Sequence, residues 1–366
     1  MASEGCENAG NARVGSGDLK TIVLWPVVAG FLLVSGCSSG EMTTADGEAG
    51  TSVGQEATPS ENSDAEFAEP CDPSAPHPKG AFEFAPQVDE SLPQEWRTEF
   101  EVILANLQQV APISQCVHDS RDPDTGALSV RSPMSIYAWN SAVDNPWSDE
   151  RPGMGGASIS GDGFDTWMVL EIPQDEFEYD SLHRYSVVAH EYWHVYQRGA
   201  WDAQGVSWPD WMWEGGAKVV EELYIAEHYG QSEFDQNLRP VIATALSNPA
   251  DFDRYESDGG AVGGESDINY NTSAFMVLAL AAELQDTLNI PEEEAFRLVL
   301  TAPAAPESET PFLDVFGMTP AEFYSSLSQY PATESGEDWF EGDVVDASDV
   351  MPSNDLTLER ILESSP

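Results

Sequence analysis

His190-Glu191-Tyr192-Trp193-His194 places two imidazoles four residues apart, with a carboxylate between them. On a helix of about 3.6 residues per turn, positions i and i+4 share a face, so both rings can meet one metal ion. Glu191 then lies beside that ion and not on it. A carboxylate there can take a proton from metal-activated water and pass it to a leaving amine. The chemistry of such a set is metal-assisted hydrolysis, and the H-E-x-x-H pattern points to zinc. The chain has six histidines in 366 residues, which makes an accidental occurrence rare. Catalytic zinc ordinarily has three protein ligands and one open position. Glu214 is the best candidate for the third, since nineteen residues separate it from His194. That is enough for one helix to end, a loop to cross and a second helix to return its first turn to the metal. Pro209 and Asp210 supply the start signal of that second helix.

With Glu214-Gly215-Gly216-Ala217 following at this spacing, the pattern resembles the gluzincins, which include the thermolysin-like and aminopeptidase N-like metallopeptidases. In that family a Glu opening the next helix is often written Glu-Gly-x-Ala. The resemblance implies zinc ligands His190, His194 and Glu214, with Glu191 as general base. Aminopeptidase N-like members often carry another Glu seven residues on, where Glu221 stands; it either orders a ligand histidine or a substrate amine, or solvates a helix face. Asn269-Tyr270-Asn271-Thr272-Ser273 resembles the segment in which these enzymes place an oxyanion-stabilising Tyr before an apolar helix, although Ser273 stands where the family more often has Gly. A phenol at Tyr270 would stabilise charge that develops only in the transition state.

The elements that must hold these residues imply an α+β, zincin-like fold, with a small mixed β-sheet followed by a mainly helical part. Residues 92–109 carry Trp96, Phe100, Ile103, Leu104 and Leu107 at helical spacing after Ser91. Residues 134–139, 157–160 and 166–172 are short β-type runs between Gly, Pro, Asn and Asp turns. In the gluzincins an edge strand borders the cleft and binds extended substrate through its main chain. Gly155, Gly156 and Ala157 are the candidates here, the alternative being that these glycines form only a turn. They do not reproduce the Gly-Ala-Met-Glu-Asn motif with which aminopeptidase N-like enzymes hold a substrate amino terminus. The Gly-rich, acidic residues 248–267 form a lid, a cation-binding loop or a solvated loop. Asp122-Pro123-Asp124-Thr125-Gly126 reads as a hairpin turn more readily than as a calcium loop, because the downstream Glu of an EF-hand is missing. Residues 274–288 and 292–300 have helical apolar spacing, and Thr319-Pro320-Ala321-Glu322 caps a further helix through Leu327. Tryptophans 193, 208, 211 and 213 crowd the site, as pocket lining or as core.

A net charge of −51, from 14 Lys and Arg against 65 Asp and Glu, excludes a nucleic-acid partner, because phosphate neutralisation needs a basic surface. So acidic a surface suits a salt-adapted extracellular protein, or reflects a generally acidic proteome. Residues 21–36 form the only long apolar run, short for a spanning helix and preceded by Lys20. It reads as an export signal. Its end, Val34-Ser35-Gly36-Cys37, resembles a bacterial lipobox, which implies cleavage before Cys37, diacylation of its thiol and a membrane partner facing outside. An ordinary signal peptide or an uncleaved anchor is the alternative. The segment before the run is long and carries Glu4, Glu7 and Asp18, unlike a usual basic leader, so the true start can lie downstream.

The expected order is therefore a signal at 1–36, a Ser, Thr, Gly and Glu-rich tether at 37–79, the catalytic domain at 80–330 and an acidic tail at 331–366. The tail either wraps the domain or is disordered. Cys71 and Cys116 either pair as a disulfide in an oxidising compartment, worth about 4 kcal/mol by chain entropy, or remain free thiols. The expected activity is hydrolysis of a peptide or protein substrate. The alternative class is a tethered surface binding protein that keeps the zincin fold, against which stands the retention of Glu191.

Overall fold

Side chains of a strand alternate between two faces. In the run from Met134 to Trp139, Met134, Ile136 and Ala138 take one face and Tyr137 and Trp139 the other. All five are buried, so both faces of the sheet are covered. The computed structural model describes residues 82–113, 132–161, 166–201, 208–231, 248–257, 266–303, 308–330, 332–334, 343–345 and 347–363. The expected signal, Cys37, the tether, Cys71, Cys116 and the turn at 122–126 lie outside the described residues. Among those described, no helix is long and apolar enough to cross a membrane.

The fold is α+β, a small mixed sheet with a larger helical layer. The sheet has β1 (Phe84–Val88), β2 (Met134–Asn140), β3 (Ala157–Gly161) and β4 (Thr166–Ile172) in the order β1-β2-β4-β3. The first three strands in that order are parallel, and β3 pairs antiparallel with β4 at the edge. Periodicity finds β2, β3 and β4. It misses β1, whose Pro86 cannot donate to a ladder and is tolerated because β1 is the other edge.

Between β1 and β2 runs α1 (Gln94–Val110), burying the expected Trp96, Phe100, Ile103, Leu104 and Leu107. Ser91 does not cap it. Its hydroxyl accepts from the Asn140 amide at 3.1 Å and so ties the end of β2 to the approach of α1. On the far face, Tyr137, Trp139, Trp167 and Val169 form a second cluster under Trp147 and Met154.

The helical layer begins with α2 (His183–Trp201), which packs against α1 and the sheet, and continues with α3 (Asp210–Tyr229) and α4 (Ser266–Leu288). Every residue of α4 from Asn271 to Ala281 is buried, the pattern of a helix at the centre of its layer. This helix starts earlier than its apolar spacing suggests, at Ser266, so Tyr270 lies inside it and not in a segment leading to it. Next come α5 (Glu292–Thr301), the short α6 (Pro311–Phe316) and α7 (Pro320–Ser326), whose Thr319 and Glu322 form the expected reciprocal capping box. The acidic 248–267 segment is not solvated throughout. Residues Pro249–Glu256 form a 3-10 helix that buries Phe252 and Tyr255 completely. The C-terminal residues pair β5 (Ala332–Glu334) with β6 (Asp343–Val345). They then send Val350, Leu356 and α8 (Leu358–Leu362) into the main core, so this part wraps the domain.

One contact sets the geometry of the layer. A Cβ built on Gly215 of α3 would lie 2.2 Å from the Ser273 carbonyl oxygen of α4. No side chain fits there, because the obstacle is backbone. Gly215→Ala is therefore expected to force the helices apart and lower stability by about 1–3 kcal/mol. Thermal or denaturant unfolding reads this directly, and an alanine variant as stable as wild type would mean the contact is looser than described.

Candidate metal centre

α2 carries His190 and His194 one turn apart on a largely buried helix, each less than a tenth exposed. Their Nε2 atoms lie 3.1 Å from each other, and the rings meet edge to face. Glu214, the fifth residue of α3 and so just past the first turn expected for it, stands beside Gly215 and brings its Oε2 to 3.6 Å from His190 Nε2 and 3.4 Å from His194 Nε2. A tetrahedral zinc with bonds of 2.0–2.1 Å holds its ligand atoms about 3.3 Å apart. The three observed separations bracket that spacing, and two imidazoles with one carboxylate are a zinc donor set. These residues fit a divalent ion, and among the described residues they are the one such group.

The outer nitrogen of each ring is engaged. His190 Nδ1 lies 2.8 Å from Glu221 Oε2, and His194 Nδ1 lies 2.9 Å from Gln197 Oε1. Glu221, 3% exposed, thus holds the His190 ring and does not solvate a helix face. Its other oxygen receives Lys218, whose ammonium also reaches Glu222 Oε1 at 3.0 Å. Both partners follow from α-helical spacing, since Lys218 precedes Glu221 by three residues and Glu222 by four.

Electrostatics separate the carboxylates. Burial works against ionisation of Glu214, yet the two imidazoles it faces hold its carboxyl far below the ordinary range. Burial opposes ionisation of Glu221 as well, and Lys218 and His190 outweigh it. Burial likewise disfavours a charged His190 ring, but Glu214 and Glu221, one at each nitrogen, push its pKa up to about 10. Glu191 moves the other way. Burial raises its carboxyl above the ordinary range, and its buried Oε2 has no hydrogen-bond partner among the described residues.

Tyr270, half-buried on α4, places its ring 6.0 Å from that of His190. The same α4 face carries Ser273 against Gly215, so the close approach holds Tyr270 in register with Glu214. Gly216, the next residue, has a different neighbour: a Cβ there would come 3.0 Å from Gln197 Nε2.

β3 packs on α2 and, among the described residues, leaves one long side unpaired. Glu171 donates its N–H to the Gly156 carbonyl at 2.8 Å, so the exchange with β4 falls at Gly156, Ser158 and Ser160. Ala157 and Ile159 then direct their N–H and C=O to the free edge. The Gly156 N–H is engaged by the Glu171 carboxylate at 2.7 Å, and positive φ at Gly153 (82°) and Gly156 (67°) makes this stretch a turn into β3. Of the three expected substrate residues, Ala157 alone lies in the strand, and Gly155 and Gly156 lie in the turn. Among the tryptophans, Trp193, Trp208 and Trp211 are core, and Trp213 is half-buried against Trp201.

Gln197, Lys218 and Glu171 escape sequence reasoning. A signal existed for the first two: Gln197 follows His194 by three residues, and Lys218 is one of three lysines in the whole chain. No known protein family, curated protein or solved structure matches this chain.

At the start of α2, His183 Nδ1 sits 2.7 Å from Glu176, which is almost fully buried in the preceding 3-10 turn Gln174–Phe177. Burial disfavours the charged ring, but Glu176 overrides it and raises the His183 pKa above 6.5, with Glu221 adding to and Lys218 opposing the effect. The folded state therefore binds this proton more tightly than the unfolded chain. The pair's contribution is complete below about pH 6.5 and is lost as pH rises through the raised folded value. Wild type should exceed the double variant His183→Gln/Glu176→Gln in melting temperature near pH 6, with the gap narrowing towards pH 9. A gap that widens with pH would contradict the pair.

Proposed function

We propose that this chain is a zinc-dependent metallopeptidase of gluzincin type, displayed outside the cell on a lipid at Cys37. The observation that carries the reading is the contrast between neighbouring buried carboxylates. Glu214 is held ionised against two imidazoles, as a ligand must be. Glu191, beside the histidines on α2, is pushed up by burial and keeps one oxygen without a hydrogen-bond partner among the described residues, which suits a proton carrier.

Bound between His190, His194 and Glu214, zinc would polarise the scissile carbonyl and lower the pKa of water towards neutrality. The remaining steps belong to the chain. Glu191 accepts the proton of the attacking water and delivers it to the departing amine. Its raised proton affinity suits both halves of that transfer. The Tyr270 phenol, one ring away from His190, donates to the oxygen that gains charge. The free edge of β3 binds the substrate main chain in extended form through Ala157 and Ile159. Such backbone recognition fits a peptide better than a small amide.

Glu191→Gln removes the base and preserves the ligands. It should hold about one zinc per chain, like wild type, and lose about 10²–10⁴-fold in cleavage of a mixed peptide library followed by mass spectrometry. Unchanged turnover would refute the base. If wild type binds zinc and cuts nothing at any salt concentration, the protein is a binding protein on this fold and not a peptidase.

A further inference from the structure

Gln197 is completely buried on α2, three residues beyond His194. Its Nε2 lies 3.2 Å from the Met212 carbonyl oxygen and 3.0 Å from that of Trp213, while its Oε1 faces His194 Nδ1. Chemistry fixes the orientation of this amide. Two carbonyl oxygens can only accept, so the nitrogen must face them and the oxygen must face the ring. His194 Nδ1 therefore has to carry its hydrogen, which leaves the lone pair on Nε2, the atom turned to Glu214 and His190. Met212 and Trp213 are the two residues immediately before Glu214, so the same side chain also grips the backbone that delivers another ligand. Gly216 leaves the space for it: a Cβ there would press on the Gln197 amide nitrogen at 3.0 Å.

We propose that Gln197 is the positioning residue of the metal centre, presetting His194 as its Nδ1–H tautomer and clamping it to the first turn of α3. The two glycines after Glu214 then have separate tasks. Gly215 admits α4, and Gly216 admits the clamp. The inference rests on the metal reading for its consequence, but the tautomer is a property of the metal-free chain.

The test uses the full-length protein stripped of metal, with histidine tautomers read by long-range ¹H–¹⁵N correlation. Zinc and cobalt(II) affinities are then measured by chelator competition, and the cobalt visible spectrum is recorded. Wild type should show His194 as Nδ1–H. Gln197→Leu should lose that single tautomer, bind zinc about 10–100-fold more weakly and alter the cobalt spectrum. Gln197→Glu keeps an acceptor for the ring but loses both donors to α3, so it should retain the tautomer without recovering affinity. Gly216→Ala displaces the clamp without changing its chemistry, and should move affinity in the same direction even if the leucine variant does not fold. A wild-type His194 protonated on Nε2, or unchanged affinity in Gln197→Leu and Gly216→Ala, would overturn the proposal. Failure of the metal reading looks different: wild type would bind neither cation although His194 still showed Nδ1–H.

Discussion

Helices with ordinary side chains at their contact stay about 8–10 Å apart. At that spacing a carboxylate near the start of one helix does not reach imidazoles midway along a second while its own backbone touches a third. Here α3 meets α4 at backbone distance through Gly215 and accommodates an α2 side chain through Gly216. Glu214, immediately before this pair, is thereby carried to the histidines. The same approach fixes Tyr270 on the far side. The ligand set, its clamp and the candidate oxyanion donor all depend on two missing Cβ atoms.

Bringing these helices together buries charge, and a buried charge is tolerated only when paired and hydrogen-bonded. Glu176, Glu191, Glu221 and Glu222 are each less than 5% exposed. Lys218, the one lysine among the described residues, answers two of them, and His183 answers a third. The network runs from Glu222 through Lys218 and Glu221 to His190, so the outer nitrogen of that ring meets a carboxylate which is itself held. Glu176 and Glu191 each keep one buried oxygen without a hydrogen-bond partner among the described residues, but the other oxygen of Glu176 is held by His183.

Most of the site was legible in the sequence because it obeys local rules. Helical spacing unites His190 with His194 and predicts α1 and α7, and strand alternation finds β2, β3 and β4. What stayed illegible depends on distant contacts. Gln197 acts by reaching Met212 and Trp213 on another helix, and Glu171 by folding back on Gly156 across a hairpin. β1 is short, exposes its middle three residues and is broken by Pro86, so it does not announce itself without its neighbour β2. The early start of α4 went unseen because its first turns are polar. The acidic 248–267 stretch hides the two aromatic anchors, Phe252 and Tyr255, that pin its first half to the core.

The two scales of charge in this protein respond to different forces. A net charge of −51 over the whole chain repels itself, and salt at about 1 M shortens the reach of that repulsion to about 3 Å. The centre is not governed by that field. His190, His194 and Glu214 interact across 3.1–3.6 Å in a buried setting, where mobile ions do not come between them. Salt can therefore change the stability of the domain while leaving the affinities inside the centre nearly untouched.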